Sequence, residues 1–123
     1  MEWRRSPIGD VNMINTMENK RFDATGSHLQ SEINYSYDDL VHSFGEPTIT
    51  QHVDSGKVTV EWQLTFDLDG EYGGKVQATI YDYCTGVPAK ENMRWSVGGY
   101  KMAAAICVKS TLYLDHEIWK KSA

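Results

Sequence analysis

The sequence predicts an α+β domain: an antiparallel sheet of about four strands with two helices packed on one face. Three observations carry this. Val58, Val60, Trp62, Leu64, Phe66 and Leu68 alternate with polar residues over eleven positions, the period of a strand with one wet and one dry face. Asp69-Gly70 and Gly73-Gly74 then supply turn chemistry, and Val76, Ala78 and Ile80 start a second alternation, so the pair is a β-hairpin. Ser36 to Pro47 has the helical period instead, with a start and a stop signal at its ends.

The chain has 123 residues, which suits one domain able to bury its own core. Residues 1–24 read as a polar N-terminal arm. Within it, Asp10 to Phe22 can form a short helix capped by Asp10 and lined by Val11, Ile14 and Met17; the alternatives are an arm that orders against a partner or another copy of the chain, and, as the plainer reading, disorder. Residues 25–123 form the α+β domain. His28 to Tyr35 alternates, with Leu29, Ile33 and Tyr35 on one side, and predicts a strand.

Ser36 caps the first helix through the Asp39 N–H, and Asp38 and Asp39 place negative charge at its positive end. Tyr37, Leu40, Val41 and Phe44 form its apolar stripe, Gly45 ends it and Pro47 blocks its extension. Thr48 to Gly56 is a connector closed by an Asp54-Ser-Gly56 turn, and Thr85 to Asn92 is a loop. Met93 to Val97 predicts a further strand that Gly98-Gly99 ends. Tyr100 to about Leu114 lacks breakers and predicts the second helix, with Met102, Ala103, Ile106, Ser110 and Tyr113 as its stripe; the β-branched Ile106–Leu114 portion leaves a strand as the alternative. The tail is expected to fray after Trp119.

Composition narrows the function. Net charge is −5, with acids and bases interspersed, which disfavours a nucleic-acid backbone as partner. No apolar run approaches the roughly 20 residues that span a bilayer. The first residues have no apolar stretch behind Arg4 and Arg5, so no signal peptide is read and the chain is expected to stay where it is made. Cys84 and Cys107 form no Cys-x-x-Cys motif and are expected to be reduced, buried thiols. The histidines His28, His42, His52 and His116 show no zinc spacing. Asp67 to Glu71 lacks the remaining ligands of a calcium loop and reads as a hairpin turn. No phosphate-binding glycine motif or nucleophile elbow occurs. The expectation is therefore no metal, no cofactor and no enzymatic activity.

One cluster stands out: Tyr81, Asp82 and Tyr83 at the end of a strand, then Arg94, Trp95, Gly98, Gly99, Tyr100 and Lys101. If the Met93–Val97 strand lies beside Ile80–Tyr83, these residues are expected to meet at one end of the sheet. Free N–H groups of Gly98-Gly99 before a helix would suit an anion, and rings with two cations would hold a base or a partner side chain. The plainer reading is a turn glycine pair and a core tryptophan.

Ser36-Tyr-Asp-Asp-Leu-Val-His-Ser-Phe-Gly-Glu-Pro47, Val60-Glu-Trp62, Ala78-Thr-Ile-Tyr-Asp-Tyr83 and Trp95-Ser-Val-Gly-Gly-Tyr100, with Thr25-Gly-Ser-His-Leu29 before them, together resemble a family of small proteins encoded by tailed bacteriophages. The resemblance covers about residues 25–110. The first 24 residues and the Glu71-Tyr-Gly-Gly turn depart from it. It implies an accessory protein in the cytoplasm of the infected bacterial host. The implied activity is inhibition of a host protein, an anti-phage defence component, by stoichiometric binding. The alternatives are a sponge for a nucleotide immune signal, with its site at a subunit interface of a homo-oligomer, and an enzyme that degrades that signal. The family supplies no catalytic residues to carry over.

Overall fold

The alternating run at the centre of the chain forms the long strand on which the fold is built. A computed structural model describes residues 14–50, 58–68 and 74–118. Its strands are β1 (Ile14–Asn19), β2 (His28–Ile33), β3 (Val58–Leu68), β4 (Gly74–Tyr83) and β5 (Trp95–Gly99). Its helices are α1 (Tyr37–Phe44) and α2 (Ala103–His116), and a short 3-10 turn spans Ala89–Glu91. The strands form one five-stranded antiparallel sheet in the order β1-β3-β4-β5-β2. Both helices pack on one face, as the α+β expectation requires, and the sheet has one strand more than expected.

That extra strand is β1. Ile14 to Asn19 is a strand beside β3, not part of a helix, and the sheet therefore includes residues assigned to the arm. Helical spacing of Ile14 and Met17 misled because both face the core rim, and an edge strand can place them there across an irregularity between Ile14 and Thr16. The first 13 residues of that expected arm, the Asp54-Ser-Gly56 and Asp69-Gly70 turns, His52 and the tail from Trp119 lie outside the described residues.

β3 and β4 pair from Leu68–Gly74 to Val58–Tyr83, so the hairpin register follows the alternation. Val60, Trp62, Leu64 and Phe66 of β3 and Val76, Ala78 and Ile80 of β4 are buried. They share one face because side chains alternate along a strand. The ladder is broken once, where Thr59 and Val60 oppose Asp82 in a bulge. Asp82 is 1% exposed, and its Oδ1 accepts the N–H groups of Thr59 at 2.9 Å and Val60 at 3.0 Å. The carboxylate thus satisfies the backbone donors that the bulge releases.

α1 follows its signals. The Asp39 N–H donates to Ser36 Oγ at 3.0 Å, and Leu40 and Phe44 are buried. Gly45, at φ 86°, turns the chain out of the helix and donates its N–H to the Val41 carbonyl at 2.8 Å. Beneath α1 lie Trp62 and Trp95, edge to face with ring centroids 5.3 Å apart. Each buried indole N–H has an acceptor in the α1 connections: Gly45 O for Trp62 at 2.8 Å and Tyr35 O for Trp95 at 3.0 Å. Two tryptophans therefore fix both ends of α1 by hydrogen bonds as well as by apolar area.

α2 begins at Ala103 and runs past Leu114 to His116. Its buried residues are Ala104, Ala105, Cys107, Val108, Ser110 and Leu112, while Met102 is 71% exposed. Of the expected stripe, Ser110 is buried, Ala103 packs at the margin of the core, and Ile106 and Tyr113 are half-buried. Small residues decide how α2 sits: alanines at 104 and 105 let the first turn lie directly on β5, where larger side chains would hold it off. The helix ends tie together through His116, whose Nε2 lies 2.7 Å from Ser43 Oγ.

Tyr35 sits beside this tie, with its ring 6.0 Å from that of His116. Burial, followed by the Glu117 carboxylate, pushes its phenol up to about 12 from 10.0. The unfolded chain therefore loses this proton first. The stabilising contribution is complete below pH 10.0 and is lost as pH rises towards 12. Urea midpoints should fall more steeply over that window in the parent protein than in Tyr35→Phe. Parallel curves for the two proteins would remove Tyr35 from the account.

Candidate functional site

Register decides what the aromatic and glycine cluster becomes. β5 lies antiparallel to β4, with Ile80 opposite Val97, Tyr81 opposite Ser96, Thr79 opposite Gly98 and Ala78 opposite Gly99. Tyr81, Tyr83 and Arg94 accordingly gather at one end of β5. Gly98, Gly99, Tyr100 and Lys101 lie towards the other, because an extended strand advances about 3.3 Å per residue. The nine residues do not converge, and Asp82 is the buried acceptor at the β3 bulge. The strand also runs through Gly99 rather than stopping before the glycines.

Trp95 is fully buried in the core. Gly98 and Gly99 lie inside β5, paired with β4 and also with β2, opposite Leu29 and His28. They do not form the loop before a helix that an anion site would need. Gly99 is a close-packing position: a Cβ there would come 2.4 Å from the Ala104 Cβ. Tyr100 donates its hydroxyl to the main-chain carbonyls of Asp23 at 2.9 Å and Thr25 at 3.0 Å. Lys101 is exposed at the entry to α2, and its carbonyl accepts the Ala104 N–H at 3.1 Å.

The other sheet face, away from the helices, is polar. Residues 20–27 join β1 at one edge to β2 at the other and so cross this face. Phe22 N–H donates to the Gln63 Oε1 at 2.7 Å, and the Tyr100 hydroxyl holds the segment at its far side. Gln63, Thr79 and Glu61 are buried on this face, and Gln63 Nε2 donates to Glu61 Oε2 at 2.7 Å. Tyr81 lies beside them. Burial raises its phenol pKa above the ordinary value, and the Glu61 carboxylate adds to the shift.

Where the crossing segment ends, the face opens into a groove of about 370 Å³. Leu29 and Glu32 of β2 form one wall, and Tyr83 with Cys84 and Thr85 forms the other. Ser96 lies between, and Asn92 and Arg94 close the end. Leu29 is 60% exposed and Tyr83 is 52% exposed. Arg94 Nε lies 3.5 Å from Glu32 Oε2 across the groove. Cys84 has a φ of 51°, rare for a residue with a side chain, and is exposed rather than buried as expected. Backbone strain of that kind recurs at ligand sites. Cys107 is the buried thiol, and burial pushes it up to about 11.

Sequence reasoning found Tyr83 and Arg94 of this groove and missed Leu29, Glu32, Cys84, Thr85, Asn92 and Ser96. The alternation of His28 to Tyr35 puts Leu29 on the same side as Ile33. A bulge between Leu29 and Ser31 reverses it, so Leu29 pairs with Gly98 on the polar face while Ile33 pairs with Trp95. The Cys84-Thr-Gly86 stretch after an apolar strand was the available signal for the second wall.

A second cluster links Asp39, Ser43 and His116. His116 Nδ1 lies 3.7 Å from Asp39 Oδ1, and its Nε2 is 3.1 Å from the Asp39 carbonyl as well as near Ser43 Oγ. The carbonyl only accepts, so it favours the Nε2–H tautomer. In that form the ring cannot take a proton from Ser43, and the cluster fastens two helices. Among the described residues no group of three or more His, Cys, Asp or Glu is placed to hold a metal ion. Among them, too, no helix is long and apolar enough to cross a membrane. Compared with known proteins, the chain matches no protein-family model, no curated protein and no solved structure.

Proposed function

We propose that this chain is a small phage-encoded, non-enzymatic binding protein that acts in the cytoplasm of the bacterial host. It inhibits a host protein, a component of anti-phage defence, by stoichiometric binding through the groove between β2, β5 and the end of β4. The carrying observation is the exposure of Leu29 and Tyr83 on opposite walls of one groove with Arg94 at its end. Aromatic and arginine anchors set into a concavity are the usual centre of a protein interface. The phage setting comes from the resemblance alone.

The second reading, a sponge for a nucleotide signal, is favoured by the groove's volume, which lies in the range of small-molecule sites. Arg94 and Lys101 do not act together in one subunit, because β5 separates them. Native mass spectrometry of tagged protein, re-purified from infected, defence-bearing cells, tests both readings. A host polypeptide at fixed ratio is expected, and Tyr83→Ala with Leu29→Asp should release it while leaving the Tm within about 3 °C, as surface changes do. A nucleotide-sized mass, freed by heat, would replace the first reading by the second.

A further inference from the structure

We infer that the groove's end is a carboxylate subsite: the partner presents one acidic side chain to Arg94, next to an apolar side chain seated between Leu29 and Tyr83. This rests on the binding reading above and names its chemistry. The molecule displays the contact within itself. Glu32 occupies Arg94 by a single contact through Nε at 3.5 Å, longer than the 2.7–2.9 Å of a charge-assisted hydrogen bond. The two side chains are 72% and 51% exposed. An ion pair this open is weak, so an incoming carboxylate can take the place of Glu32 at small cost.

Arg94 itself is held ready. Asn92, only 3% exposed, donates from Nδ2 to the Arg94 carbonyl at 2.6 Å, and its Oδ1 accepts the Arg94 N–H at 3.3 Å. The Asn92 N–H is in turn fixed to the Ala89 carbonyl at 3.1 Å. The main chain that carries the guanidinium is therefore fixed, so that binding has only the side chain to order. The net charge of −5 repels a strongly acidic segment at long range. A single carboxylate beside an aromatic or aliphatic residue avoids that repulsion and matches one cation set beside Leu29 and Tyr83.

The test uses the full chain labelled with ¹⁵N, titrated with Ac-Leu-Glu-Phe-amide, with Ac-Leu-Gln-Phe-amide and with inorganic phosphate. The Glu peptide should saturably shift the Arg94 side-chain signal and the Ser96 and Thr85 amides. The Gln peptide should bind up to about fivefold more weakly, the factor an exposed ion pair supplies. Arg94→Gln should abolish the difference. Glu32→Gln should tighten the Glu peptide by a similar factor, because the internal competitor is gone. Equal binding of the two peptides overturns the subsite, as does no shift with either. Phosphate binding without a peptide preference overturns it too and turns the groove towards the nucleotide reading. The two levels separate cleanly. If Arg94→Gln binds the captured host polypeptide with the parent's Kd, the subsite falls and the binding reading stands. If the peptide preference holds and no host polypeptide is captured, the reverse is true.

Discussion

Replacing Asp82 with alanine is expected to lower the unfolding free energy by about 3 kcal/mol. Its carboxylate is 1% exposed and accepts two main-chain N–H groups at the β3 bulge. Hydrogen bonds to a charged acceptor contribute about 1.5–3 kcal/mol each, and a buried donor left alone adds a desolvation cost. Thr59 is exposed, so water can replace one bond; Val60 is buried and has no such recourse. The sum is therefore nearer one strong bond plus one orphan than two full bonds. The Tm should drop by on the order of 10 °C. Asp82→Asn keeps an acceptor at Oδ1 and should cost about 1 kcal/mol, the difference between charged and neutral bonds. Chemical denaturation of the two variants decides it. An alanine variant within experimental error of the parent would show that the bulge needs no side-chain acceptor.

Gly99→Ala is expected to cost about 3 kcal/mol through overpacking. Gly99 is not in the left-handed region, so the effect is steric rather than conformational. The new methyl would stand 2.4 Å from the Ala104 Cβ and 3.2 Å from the Gln77 carbonyl oxygen. Both neighbours are backbone or attached directly to it, and neither can rotate away. The first turn of α2 must lift off the sheet. Gly98→Ala is the informative contrast. Its methyl meets the Thr79 hydroxyl at 2.6 Å on the polar face, where a rotamer change makes room, so about 1 kcal/mol is expected. Adding Ala104→Gly to Gly99→Ala should recover part of the loss, and a double-mutant cycle on the pair should show a coupling of about 1–2 kcal/mol. Additive effects would mean that the helix does not rest on this contact.

These two sites show why the candidate residues were only partly legible. Glycine pairs are the commonest punctuation between elements, and Gly98-Gly99 read as an end. They are inside a strand because a helix must approach at Ala104 and a threonine must fit against Gly98, facts that belong to distant parts of the chain. Trp95 carried the opposite ambiguity, since a tryptophan beside an arginine suits a binding site or a core. The Tyr35 carbonyl settles it by accepting the indole N–H.

Local signals sufficed wherever one stretch carries its own answer. The eleven-residue alternation of β3 fixed its limits and its dry face, and Ser36, Asp39 and Gly45 fixed both ends of α1. Those features depend on spacing and capping, which neighbours in sequence supply. Tertiary structure alone decided that residues 14–19 would pair with β3, that a bulge would turn Leu29 outward and that α2 would bury Ala104 and Val108. It also divided the cluster between the two ends of β5, leaving Tyr83 and Arg94 at the groove. Strand pairing, register and the rotation of a helix about its axis are set by which surfaces meet across the fold. A chain read in order holds the pieces of that choice, and the physical contacts that make it lie tens of residues apart.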